Sequence, residues 1–162
     1  MRRAAVLTIS DKGHRGERED RSGPLIREVL GQAGFDITLS EVLSDDRSLI
    51  ERRLRYLSDE SGLDLVVTTG GTGVSPRDVT PDATLAIIER EVVGIAEAMR
   101  AASLVKTPHA MLSRAVAGIR GQTLIINLPG SVQGALENLE VVLPALQHAL
   151  DKIQGDPSEC GS

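Results

Sequence analysis

Residues 64–83, DLVVTTGGTGVSPRDVTPDA, join a short apolar run directly to a glycine-rich turn, and that junction admits few folds. Leu65, Val66 and Val67 are continuously apolar rather than alternating, the pattern of a strand covered by helices on both faces of a parallel sheet. Gly70, Gly71 and Gly73 then let backbone N–H groups come close to a ligand, for which phosphate is the natural guest. Thr80 and Pro81 read as the N-cap and first residue of a helix over about 81–88, whose dipole would add positive potential nearby.

Two familiar nucleotide loops do not fit this turn. A Walker-type loop needs a lysine after its glycine, but Lys12, Lys106 and Lys152 are the only lysines and none follows a glycine. A dinucleotide fingerprint needs a third glycine where Pro76 stands. Glycines alone fit a ligand-free tight turn equally well. Asp78 and Asp82, held near Pro76 and Pro81, tip the reading towards a magnesium-bridged triphosphate.

Along the rest of the chain, strands and helices alternate, which is the α/β signature. Strands are predicted at 4–9, 37–43 and 65–69, with a hairpin over 115–119 and 123–128 turning at Gly121. Helices are predicted from Ser22 as N-cap to about Gly34, from 44–47 to about 59, at 94–104, and at 132–153. The expected architecture is three-layered: a mostly parallel central sheet with helices on both faces, built as one domain over 1–153, followed by a flexible tail over 154–162. Phe35 and Tyr56 are the only aromatics, so a heterocycle would have to lie on aliphatic, glycine or arginine surfaces.

A net charge of −5 argues against a nucleic-acid binder. With one cysteine, Cys160, the chain supports neither an internal disulfide nor a cysteine metal site. No apolar stretch is long enough to span a bilayer and no secretory leader is visible, so the expected location is the cytoplasm. His14, His109 and His148 are too scattered for a zinc site and read as ordinary polar residues.

In open α/β sheets ligands bind outside the carboxyl ends of the strands. The residues just after each strand are therefore informative: Ser10 and Asp11 after the first, Asp45 and Asp46 after the second, the glycine loop with Asp78 after the third, and Pro129, Gly130 and Ser131 after the last. Asp11, Asp20, Asp45, Asp46 and Asp78 could not crowd together without a cation, which supports magnesium; helix capping is the alternative for Asp45 and Asp46.

TTGGTG, SPRDVTPDAT and LPGS, in this order and spacing, resemble the Mog/MoaB family of molybdenum-cofactor biosynthesis proteins. The likeness runs from the SDKG segment to LPALQHAL, nearly the whole chain. It implies a homotrimeric molybdopterin-binding (MoCF) domain that, in catalytic members, adenylylates molybdopterin with Mg-ATP and releases pyrophosphate. A non-catalytic molybdopterin-binding or scaffolding role is the alternative. By the same resemblance Asp45 and Asp78 are the functional aspartates and would hold Mg2+. Ser10, Gly70, Gly71, Thr72, Gly73, Ser75, Asp82, Pro129, Gly130 and Ser131 would bind nucleotide and pterin. A molybdenum-insertion protein is a further implied partner. Many members carry a lysine after the LPG turn, where this chain has Ser131, Val132 and Gln133; Arg77 or Arg15 would have to supply that charge.

Overall fold

In the computed structural model, which describes residues 1–160, six strands form one sheet in the order β2-β1-β3-β6-β5-β4. Parallel β1 (Arg2–Ile9), β2 (Phe35–Leu43), β3 (Leu65–Thr69) and β6 (Thr123–Leu128) make up its main part. β5 (Ala117–Arg120) runs antiparallel to β6, and two-residue β4 (Arg90–Glu91) closes that edge. The central strands β3 and β6 are buried throughout, as continuous apolar runs require, while β2 at the sheet edge alternates exposed and partly buried residues between its buried ends.

Helices α2 (Ser22–Gln32), α5 (Val93–Leu104) and α6 (Val132–Ile153) cover one face, where Ile26, Leu30, Met99, Leu139 and Leu146 pack on Val6, Val67 and Ile126. On the other face α3 (Arg47–Asp59) and α4 (Thr80–Ile87) lay Ile50, Leu54 and Ile87 against Leu7, Val66 and Ile125. A four-residue turn of helix, α1 (Asp11–His14), follows β1, and a 3₁₀ turn at Pro108–Leu112 follows α5. Pro144 lies inside α6 without ending it. The final two residues of the expected tail, Gly161 and Ser162, lie outside the described residues. Before them, the Lys152 ammonium donates to the carbonyls of Asp156 and Ser158.

Two expected caps are corrected. Ser22 is the first residue of α2, and Arg21 occupies its N-cap position without a side-chain bond. The Asp20 carboxylate accepts from the Gly23 N–H instead, at 2.9 Å. Thr80 is likewise inside α4, after Val79 at the N-cap position, because its hydroxyl donates to the Gly70 carbonyl at 3.0 Å. Its tertiary partner outcompetes the local cap.

The chain passes from β1 to β2 over one face and from β2 past β1 to β3 over the other. That makes the β1–β3 boundary the topological switch point, where an open α/β sheet leaves a crevice.

Candidate active site

The parallel register sets Thr8 beside Thr69 and Thr69 beside Leu128, so β1, β3 and β6 end at one level. Their continuations meet at Gly70. With φ at +102°, an added Cβ there would lie 2.3 Å from the Ile9 carbonyl oxygen, and a Cβ on Gly130 would lie 3.2 Å from the Gly70 Cα. Only glycine fits such a junction. The Thr69 hydroxyl ties it further, donating to the Pro129 carbonyl at 2.7 Å.

A cleft of about 600 Å³ opens above this junction. Ser10, Asp45, Gly70, Gly71, Asp78, Gly130 and Ser131 all line it. Thr72, Gly73 and Pro129 face an adjoining cavity of about 290 Å³, which shares Ser131. Ser75 and Asp82 border neither space. The Ser75 N–H donates to Asp78 Oδ2 at 3.0 Å, and Asp82 is paired with Arg114.

The two aspartates both lie against the glycine loop. An added Cβ on Gly71 would sit 3.1 Å from Asp45 Oδ1, and one on Gly73 would sit 2.9 Å from Asp78 Oδ2. Asp45 also exchanges bonds with Asp11: the Asp11 N–H donates to Asp45 Oδ2, and the Asp45 N–H to Asp11 Oδ1, both at 2.9 Å. The Arg77 guanidinium grips Asp11 through two 3.0 Å hydrogen bonds. Desolvation opposes ionisation of Asp11, but the Asp45 N–H and Arg77 outweigh it and hold its carboxyl below the usual range. Asp45 moves the other way. Desolvation pushes its carboxyl up, with the charges of Asp11 and Asp78 adding to the rise against the pull of the Asp11 N–H and Arg77.

These partnerships correct the crowding argument for a cation. Asp11 is neutralised by Arg77. Asp20 accepts from the Thr8 hydroxyl and the Gly23 N–H, and Asp46 caps α3 through the Leu49 N–H. Asp20, Asp45 and Asp78 line the cleft without a cationic partner among the described residues; of these, Asp45 and Asp78 lie against the glycine loop, while Asp20 is held by Thr8 and Gly23. Among the described residues no three His, Cys, Asp or Glu side chains form a group that could hold a metal ion.

Helix polarity is corrected too. No α4 residue lines the cleft. The Thr80 N–H is already on the Gly71 carbonyl, and Pro81 has no N–H to offer. The N-termini that do open on the cleft belong to α2, through Ser22, and to α6, through Ser131 and Val132.

Arg77 and Arg15, the expected substitutes for the missing lysine, are engaged with Asp11 and Glu17. Arg18 and Arg21 line the cleft and make no ion pair among the described residues. The exposed polar loop gave no sign of which of its arginines would border the cleft. Thr8 and Thr69 were also missed, although a hydroxyl closing an otherwise apolar buried strand is a readable signal.

The sequence matches the family model described as a probable molybdopterin binding domain over residues 5–148. A molybdopterin adenylyltransferase from Helicobacter pylori is 45% identical over 153 residues, covering 93% of this chain and 87% of that protein. Its Escherichia coli counterpart is 44% identical over 146 residues, covering 88% and 74%. The crystal structure of the molybdopterin biosynthesis enzyme MoaB from Thermus thermophilus superimposes with a TM-score of 0.91 at 53% identity, covering 98% of this chain and 100% of that one. Sequence and fold agree across almost the whole length: this chain belongs to the molybdopterin-binding domain family of molybdenum-cofactor biosynthesis proteins.

Proposed function

We propose that this protein is a molybdopterin adenylyltransferase, transferring AMP from ATP to the terminal phosphate of molybdopterin and releasing pyrophosphate. The observation that carries the reading is the meeting of Asp45, Asp78, Gly70 and Gly71 on one cleft at the switch point of the sheet. Relatives at 44–45% identity carry that enzyme name, which favours catalysis over a purely binding role. Residues 1–153 would act as one molybdopterin-binding domain.

In this reading the molybdopterin phosphate attacks the α-phosphorus of ATP in line. A new P–O bond forms as the bridge to the β-phosphorus breaks, and pyrophosphate leaves with the electron pair. The nucleophile is already ionised at neutral pH, so no side chain need act as a base and positioning supplies most of the rate. Donors for the phosphate oxygens are the N–H of Gly71, the α6 N-terminus at Ser131 and Val132, and the guanidinium groups of Arg18 and Arg21.

The donor set fits magnesium. Asp45 Oδ1 and Asp78 Oδ1 accept no hydrogen bond among the described residues, and two carboxylates with substrate phosphates are a usual magnesium environment. When bound, Mg2+ would neutralise charge on the nucleotide phosphates. Asp45 and Asp78 would hold it, and Asp11, kept off by Arg77, would not.

A homotrimer and a cytoplasmic setting belong to the same proposal, as does a molybdenum-insertion protein that takes the product. Exposed Val74, Val105 and Met111 offer apolar surface for subunit contact, and no described helix is long and apolar enough to cross a membrane.

The test is to incubate purified protein with molybdopterin, ATP and magnesium and to measure adenylylated molybdopterin by mass. Product is expected from wild type, and Asp78→Asn should keep the fold and lose turnover. No wild-type product under conditions where the E. coli relative makes it would transfer the case to a binding role.

A further inference from the structure

We infer that Arg114 is a positioning residue for this site: it latches the segment bearing Asp78 so that this carboxylate stays beside Gly73 on the cleft that Asp45 also lines. The latch rests on geometry alone, and its kinetic consequence rests on the adenylyl-transfer reading.

Asp78 rides on an exposed turn. The turn is closed internally by the Asp78 N–H on the Ser75 carbonyl at 2.9 Å and by the Ser75 N–H on Asp78 Oδ2 at 3.0 Å. Those bonds shape the turn but do not say where it sits. Arg77 ties the exposed side of the turn to Asp11, and its other tether is Arg114, in the connection that precedes β5. The Arg114 backbone N–H donates to the Thr72 carbonyl at 2.8 Å. Its Nε donates to the Gly73 carbonyl at 2.8 Å and its Nη2 to the Asp78 carbonyl at 2.6 Å. Nη1 and Nη2 then grip the Asp82 carboxylate at 3.2 and 3.0 Å. One residue therefore ties together both ends of the turn and the first turn of α4.

Peptide planarity extends the effect to the N–H groups. In a trans peptide the N–H of one residue points opposite the carbonyl of the residue before it. Drawing the Thr72 and Gly73 carbonyls towards Arg114 turns the N–H groups of Gly73 and Val74 away from it. Thr80 does the same through the carbonyls of Gly70 and Gly71. The N–H groups of Gly71, Thr72, Gly73 and Val74 have no hydrogen-bond partner among the described residues. Arg114 and Thr80 thus set the orientation of the loop's unclaimed donors as well as of its carboxylate. A lysine cannot replace this arrangement, because a compact ammonium lacks the planar fork that spans two carbonyls and a carboxylate at once.

The experiment compares wild type with Arg114→Lys and Asp82→Asn; the second keeps the guanidinium but weakens its anchor. Amide hydrogen exchange is followed by NMR at Ser75 and Asp78, with Val66 and Ile125 in the central strands as internal controls. Exchange at Ser75 and Asp78 should accelerate by about tenfold or more while the controls hold, because only local opening becomes easier. Turnover number should fall by about tenfold or more while KM for ATP moves less than about threefold, as expected when transition-state alignment rather than uniform binding is lost. Unchanged exchange at Ser75 and Asp78 in both variants overturns the latch. So does faster exchange that includes the controls, which would mean general destabilisation. An inactive wild type would remove the adenylyl-transfer reading, and the exchange data would still decide the latch.

Discussion

Gly71→Ala is the sharpest test of the junction, because it has a steric and a conformational cost that can be separated. Gly71 has φ at +67°, a left-handed conformation that costs a residue with a Cβ about 1 kcal/mol. The new methyl would lie 2.4 Å from Thr80 Oγ1, so the hydroxyl must move. Thr80 is fully buried and its hydroxyl is the donor to the Gly70 carbonyl. Displacing it leaves a buried acceptor unmatched, at about 1–3 kcal/mol. The total is about 2–4 kcal/mol, which lowers the melting temperature of a domain this size by about 5–15 °C. Urea unfolding of Gly71→Ala, Thr80→Ala and the double variant isolates the steric part. Removing the Thr80 hydroxyl relieves the clash, so the double variant should be more stable than additivity predicts, by about 1 kcal/mol or more. Strict additivity, or a Gly71→Ala midpoint within about 0.5 kcal/mol of wild type, would refute the argument.

Gly73→Ala should behave oppositely: its φ is not in the left-handed range, but its Cβ would lie 2.9 Å from Asp78 Oδ2. Stability should stay within about 0.5–1 kcal/mol of wild type while turnover drops by about tenfold or more, measured by melting and steady-state kinetics on one preparation. Asp45→Asn should stabilise the free protein at neutral pH. The folded-state carboxyl titrates above its ordinary 3.8, so the folded chain binds this proton more tightly and stability falls as pH rises through that window. Urea midpoints should therefore diverge in favour of Asp45→Asn above the window and converge below it. Asn127→Ala should cost about 3 kcal/mol in denaturant unfolding. The side chain is fully buried, accepts from the Val116 N–H at 3.2 Å and donates to the hydroxyls of Thr68 and Thr84 at 3.1 Å.

Where neighbouring residues decide an outcome, the sequence was legible. β3 is bounded by its apolar run and by Gly70, and α6 begins at Val132, as the sequence predicts, after the N-cap Ser131, whose hydroxyl accepts from the Gly134 N–H at 3.1 Å. The placement of Asp45, Asp78 and the glycine pair at one rim is a consequence of the strand-end rule for α/β sheets. The features that stayed hidden depend on partners far along the chain. Thr80 reads locally as a cap, yet its hydroxyl is claimed by Gly70, ten residues back. Arg77 reads as a free cation, yet its partner is Asp11, 66 residues away. Arg114 carried no motif at all, since its significance lies in carbonyls contributed by a loop more than thirty residues earlier. β4, two exposed residues long, had too little pattern to be seen.

The charge arrangement gives these details one physical meaning. Five aspartates lie beyond the strand ends; Asp11 is paired with Arg77, Asp20 is held by Thr8 and Gly23, Asp46 caps α3, and Asp45 and Asp78 are the two that lie against the glycine loop on the cleft. Burial and the neighbouring negative charges penalise ionised Asp45, and a bound cation or cation-bearing ligand would relieve that penalty. Arg18 and Arg21, flanking Glu19 and Asp20, bring two guanidinium groups to the same cleft from the segment before α2. An anionic substrate accompanied by its cation satisfies both groups at once, whereas a neutral ligand would satisfy neither. The guanidinium groups of Arg18 and Arg21 are the cations that this cleft offers in place of a lysine after the LPG turn.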